Sequence, residues 1–272
     1  MRHLVLALGW AALIGAAPAA HPRIVSINPC IDAILMRVAD PEQIAGISHY
    51  SQDPRATSIP VALADRFVAT SGTAEEVVAL RPDLVMTGPH VAPSTIAALT
   101  RMHIRLVQYP VPASVAESEA QVRDVAATAG HAARGEALAR AIDAAARPSA
   151  LAPVGALVLS GGGLVPGSGT LADELLTRAG FRNMSASYGL KQWDVLPLEY
   201  LVARPPRVLL SVGAVDNGVG DGGGDRLVSH PALARLARRI TVAAYPTRLL
   251  SCGGPTIVAA MERLRAVRKA IR

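Results

Sequence analysis

The sequence predicts an α/β protein of two lobes, each with a central parallel sheet, joined by a single long rigid helix and enclosing a ligand cleft. Three observations predict it. Apolar, β-branched runs alternate with amphipathic helical stretches along the chain, as expected for strands covered on both faces by helices. The alternation occurs twice, as an internal repeat. A helical segment with no strand of its own separates the two copies.

Composition bounds the answer. The chain has 272 residues, 51% hydrophobic and 18% charged, which is enough to build a large core and excludes both disorder and a disulfide-stapled miniprotein. Single cores stop growing at roughly 250–300 residues, so this length accommodates two lobes. The net charge of +6 is scattered over helical stretches with no basic run interleaved with aromatics. It reads as a solvated surface, and no nucleic-acid partner is expected. Only 3% of residues are aromatic, so a ring-lined site must use few rings.

Residues 1–20 read as a secretory signal peptide. A basic start, Met1-Arg2-His3, precedes an apolar run to Ala17 and a small-x-small site at Ala17-Pro18-Ala19. The run is shorter than the roughly 20 residues of a spanning helix, so the mature chain is expected in the periplasm, with an uncleaved anchor as the alternative. Residues 21–113 form the expected N-terminal lobe. The strand Arg23 to Ile27 leads through Asn28-Pro29 to a helix at Ile31 to Val38. A helix at Glu75 to Arg81, stopped by Pro82, hands over to the strand Asp83 to Thr87, and Thr95 to Met102 precedes the strand Ile104 to Tyr109.

Residues 114–148 are the connecting helices. Ser114 with Glu117 starts one as a capping box, Gly130 ends it, and the second runs from His131 to Arg147 before Pro148. Residues 149–272 repeat the lobe design: Ala156 to Ser160 before Gly161-Gly162-Gly163, a helix Leu171 to Arg178, a helix Glu199 to Arg204 stopped by Pro205 before the strand Arg207 to Val212, and Pro231 to Arg238 before Ile240 to Tyr245.

In open α/β sheets, ligands sit beyond the carboxyl ends of the strands. The loops there carry Asn28, His49, Tyr50, His90, Tyr188, Trp193 and Arg248, the candidate ligand-binding residues. No catalytic residue is expected: there is no nucleophile elbow, no His-Glu-x-x-His, and the glycines from Gly161 to Gly169 lack the Lys-Ser/Thr of a phosphate loop. Gly167-Ser168-Gly169 reads as a tight turn before a helix, and Gly213 to Gly224 as a mobile loop. Cys30 and Cys252 belong to no Cys-x-x-Cys pair, so no metal site is expected from them. Export leaves two readings open, a Cys30 to Cys252 disulfide or two separate buried thiols.

The segments Glu75 to Val85 (Glu-x-x-x-x-Leu-x-Pro-Asp-Leu-Val) and Gly46 to Pro54 carry a family resemblance. The mature chain resembles the periplasmic substrate-binding proteins of ABC importers, in the class that carries vitamin B12, iron-siderophores or haem, and is most similar to the vitamin B12 binders. That resemblance implies a monomeric receptor without enzymatic activity or cofactor, which hands a small-molecule ligand to the transmembrane subunits of an ABC permease. It implies that Tyr50 and Trp193 line the pocket and that Glu75 and Glu199, one per lobe, dock onto permease arginines. At helix starts the same carboxylates also suit the helix dipole.

The implied ligand is a corrinoid, a ferric siderophore or haem. Vitamin B12 binders have further first-lobe tryptophans, where this chain reads Val68 to Gly72 and Thr87 to His90. Siderophore binders supply arginines, for which Arg55, Arg66 and Arg248 stand near the loops, and haem would take Tyr50, His49 or His90 on iron. A metal-ion receptor and a secreted α/β hydrolase are the alternatives from outside these ligand classes.

Overall fold

The computed structural model describes residues 21–212, 231–236 and 239–271. The expected signal peptide and the glycine-rich stretch Gly213 to Gly224 lie outside the described residues. In the N-terminal lobe, β1 (Ile24–Ser26) is central because all three of its residues are apolar or small and fully buried. Around it β2 (Ile44–Ser48), β3 (Ala69–Thr70), β4 (Leu84–Thr87) and β5 (Arg105–Gln108) complete a parallel sheet in the order β3-β2-β1-β4-β5. The crossover helices are α1 (Pro29–Val38), α2 (Val61–Ala64), α3 (Ala74–Ala79) and α4 (Pro93–Arg101). The start of α1 is set by Asn28, whose side-chain oxygen accepts from the backbone N–H of Cys30 and Ile31 at 2.9 and 3.1 Å.

The C-terminal lobe repeats the design. Strands β6 (Val154–Leu159), β8 (Phe181–Asn183), β10 (Val208–Val212) and β11 (Thr241–Tyr245) form a parallel sheet ordered β11-β10-β6-β8. Helices α7 (Leu171–Arg178), α8 (Leu198–Ala203), α9 (Pro231–Leu236) and α10 (Thr256–Ala270) accompany it. One feature departs from the expected parallel architecture: β7 (Leu164–Pro166) and β9 (Trp193–Val195) form a separate antiparallel pair. Gly167 permits it, because a Cβ there would stand 2.5 Å from the Gln192 carbonyl oxygen.

The connection is made by the two expected helices, but packed together as a hairpin rather than as one long bridging helix. Two helices of equal length, α5 (Val115–Thr128) and α6 (Ala132–Ala145), form a hairpin of 14 residues per arm, each roughly 21 Å long at about 1.5 Å per residue. Gly130 ends α5 at φ +90, with its own N–H bonded to Ala127 O and the His131 N–H to Ala126 O, the paired bonds of a Schellman turn. The arms then approach closely, since a Cβ on Gly135 would lie 2.4 Å from Ala126 Cβ.

Both arms run from one lobe to the other. At the cleft end the Val115 N–H donates to Glu174 Oε2 of α7 at 2.7 Å, and at the far end Gln43 Nε2 donates to Ala129 O at 3.1 Å. One apolar cluster is continuous through the hairpin, from Ile24 and Met86 through Val122, Ala139 and Ile142 to Val158 and Met261. Strand alternation divides the faces. Ile24 faces this shared core, while Val25 joins Val77, Val85 and Leu99 on the outer face.

Two more contacts close the gap between the lobes. Gly254 donates its N–H to Ser118 Oγ at 2.6 Å, at a crossing where a Cβ on Gly254 would meet Ile34 at 2.9 Å. Cys30 and Cys252 are joined in a disulfide, with Cα atoms 5.2 Å apart and a sequence separation of 222, which decides between the two readings of the thiols. Closing a loop of this length constrains the unfolded chain strongly. The Cys30→Ala/Cys252→Ala double variant is expected to lose about 2–5 kcal/mol of unfolding free energy in urea titrations.

Candidate ligand-binding cleft

The carboxyl ends of both sheets face a cavity of about 310 Å³ between the lobes. The N-terminal lobe contributes Asn28, Cys30 and Ile31 at the start of α1, Gly88 and Pro89 after β4, and Tyr109 to Ala113 after β5. From the C-terminal lobe come Gly169 to Ala172 at the start of α7, Gln192 and Trp193, and Leu250 to Gly253 before α10. The disulfide is thus part of the wall. Among the described residues none of the lining side chains carries a charge, and Pro89, Pro110, Pro112, Leu171, Leu250 and Trp193 make the surface largely apolar.

Local structure explains these positions. Gly88 leaves room for Asn28, whose Nδ2 lies 2.2 Å from where a Cβ would stand. Gln121 Nε2 donates to Pro110 O at 2.7 Å and pins the proline-rich loop to α5. Burial pushes the Tyr109 phenol up to about 12, and its hydroxyl oxygen is enclosed, so the ring rather than the oxygen serves the cavity. The turn Gly167 to Gly169 is no anion cradle: Asp173 of α7 already accepts the Gly169 N–H at 3.2 Å, and Thr170 caps the helix.

The expected site residues separate into groups. Asn28 and Trp193 line the cavity, and Trp193 keeps 44% of its surface exposed. It stands on β9 rather than on a loop. His90 is exposed beside Pro89 at the cavity edge. The His49 and Tyr50 rings lie 4.0 Å apart and tilted by 36° on the single turn His49–Gln52 after β2, outside the cavity lining. Arg248 is exposed, and its carbonyl accepts from Ser58 Oγ of the other lobe at 3.0 Å.

Tyr188 is corrected. Gly189 at φ +78 turns the chain so that this ring enters the core of the C-terminal lobe, where its hydroxyl donates to Arg204 O at 2.5 Å. Among the arginines, Arg55 pairs with Asp53 at 3.2 Å and Arg66 lines a separate recess with Arg23 and Glu42. Glu75 and Glu199 are exposed in the first turns of α3 and α8, one on each lobe. The adjacent Glu76, also exposed, instead accepts hydrogen bonds from Thr70 and Ser71.

The sequence reading missed Tyr109, Gln121 and Asp32. Asp32 is fully buried on α1, and its Oδ2 accepts from Ser48 N at 2.9 Å and Ser51 Oγ at 2.6 Å. It therefore anchors the turn bearing His49 and Tyr50. Its Oδ1 has no partner, and burial without a neighbouring cation raises its pKa to about 7. The available signal was an aspartate on the apolar stripe of a helix, between Ile31 and Ile34.

Residues 24–237 match the family profile described as periplasmic binding protein. The chain belongs to this family. The haem-binding periplasmic protein from Roseiflexus sp. RS-1 is 25% identical, with 91% of this chain and 99% of that chain covered at a TM-score of 0.71. A periplasmic haem-binding protein from Pseudomonas aeruginosa is 23% identical, with coverages of 90% and 92% and a TM-score of 0.68. The periplasmic vitamin B12-binding protein of Vibrio cholerae is 16% identical, with coverages of 92% and 97% and a TM-score of 0.69. No curated protein matches the chain. Among the described residues of this periplasmic binding protein, no helix is long and apolar enough to cross a membrane.

Asp32 sets a pH dependence. Its folded pKa is raised from 3.8, so its protonated form contributes stability that is complete below about pH 4 and lost as pH rises through about 7. Asp40, Asp53 and Glu76 are shifted the other way by hydrogen bonds, so their contributions fall only in acid. The Asp32→Asn variant is expected to flatten the decline in unfolding free energy between about pH 4 and 7, as measured by urea titration at each pH.

Proposed function

We propose that the protein is the monomeric periplasmic receptor of an ABC importer and captures a corrinoid in the cleft between its lobes. The uncharged, proline- and tryptophan-faced cavity is the observation that carries this reading. A corrinoid brings its own metal ligands, presents a broad apolar face and is rimmed by neutral amides. Trp193 suits the face, and Asn28, Gln192 and Thr170 suit the amides. An anionic ferric siderophore fits less well, because a buried charge needs a partner and, among the described residues, no arginine lines the cavity.

Haem is the second reading. It is favoured by the solved relatives named as haem-binding and by His90 at the cavity edge, where an imidazole could reach iron. Fluorescence titration separates the two, since Trp193 is the one tryptophan among the described residues. Cyanocobalamin is expected to quench it saturably, with Trp193→Ala weakening binding by roughly 10- to 100-fold, about 1.4 kcal/mol per tenfold. A haemin complex with a shifted Soret band that is lost in His90→Ala, with no corrinoid binding, would establish the second reading.

Delivery is assigned to Glu75 and Glu199, exposed carboxylates at equivalent helix starts, one on each lobe. The Glu75→Arg/Glu199→Arg variant is expected to lose permease binding in pull-down assays while its ligand affinity stays within twofold of the parent. Loss of ligand binding would remove the docking assignment.

A further inference from the structure

The geometry points to a second site, for a divalent transition ion, at the pole of the N-terminal lobe remote from the cleft. His21 precedes β1, Asp40 follows α1 and His131 opens α6, so all three lie off the amino end of the sheet. One donor atom from each lies within 4.8 Å of the other two. Two imidazoles and a carboxylate suit zinc, nickel or copper, leaving a fourth position for water, whereas calcium and magnesium prefer oxygen donors. The site is independent of what the cleft binds.

The donors are held in place before any ion arrives. Buried Gln43 touches the segments that carry all three. Its Nε2 donates to Pro22 O at 3.3 Å, next to His21, and to Ala129 O, while its Oε1 accepts from Asp40 N at 3.1 Å and contacts His131 Nε2 at 2.5 Å. The His21 ring sits against the turn at Gly130, where a Cβ would lie 2.4 Å from His21 Nδ1.

Asp40 divides its two oxygens. Oδ1 accepts from Arg134 at 2.7 Å, which orients the carboxylate, and Oδ2 faces His131 Nε2 at 3.5 Å. Hydrogen-bonded orientation of this kind is what metal-ligating groups require. On binding, His131 exchanges its contact with Gln43 for the ion, and Gln43 keeps the Asp40 N–H. The ion would tie the segment before β1 to the hairpin turn.

Calorimetric titration of Zn²⁺ into protein stripped with a chelator tests the site. One equivalent is expected to bind, and His21→Ala and Asp40→Asn should each weaken it at least tenfold. Neither side chain is in the core, so circular dichroism should show both variants folded. His49→Ala and His90→Ala should leave the binding unchanged. Absence of saturable binding, or one equivalent that survives either His21→Ala or Asp40→Asn, would overturn the proposal.

Discussion

The relative placement of the two lobes rests on the close contact between the arms of the α5/α6 hairpin, where Gly135 faces Ala126 without room for a Cβ. Because the arms touch backbone to side chain, the hairpin acts as one slab with an apolar surface on each side. Helix α1 packs on both arms and α10 on α6, within an apolar cluster that also takes in strands of both sheets. A single helix would have joined the lobes at its ends. The slab joins them through a shared core, and the disulfide and the Ser118 to Gly254 contact add two fastenings beside the cavity.

This arrangement determines how the cleft can work. Rotation of one lobe against the other would have to open the shared core, at a cost of roughly 25 cal/mol for each Å² of apolar surface exposed. The ordering cost of the cavity wall is therefore met largely in folding, and a ligand meets preorganised surfaces. The proline-rich loop after β5 adds to this rigidity, since its φ angles are restricted and Gln121 holds its first carbonyl. Electrostatics follow a similar division. The net charge of +6 is carried elsewhere, while the described cavity wall remains neutral.

Much of this was legible in the sequence because parallel strands buried on both faces leave continuous apolar runs. Those runs located β1, β4, β5, β6, β10 and β11, and the proline after α3 or α8 marked each handover to a strand. The antiparallel β7/β9 pair was hidden because its strands have three residues each, too few for alternation to show. The hairpin was visible as two helices, but its close crossing depends on a tertiary contact of Gly135 that no local pattern announces. In the cleft, Asn28 and Trp193 were found from strand ends and ring scarcity. Tyr188 was misplaced because burial of a ring depends on a turn, set by Gly189, that sends it inward.

The start of α1 shows why so much of the site lies in one short segment. Asn28 caps the helix and lines the cavity, Cys30 bonds to the opposite lobe, and Ile31 adds to the apolar wall. Asp32 then reaches away from the cavity to hold the turn of His49 and Tyr50, and Ile34 meets Gly254 where the lobes cross. A helix presents side chains about 100° apart, so successive residues necessarily face different neighbours. At this position those neighbours are the ligand space, the other lobe and the His49–Gln52 turn, and a shift of α1 would disturb its contacts with all three. The buried carboxylate of Asp32 is costly to the fold, yet it fixes the His49–Gln52 turn to the element that carries Asn28.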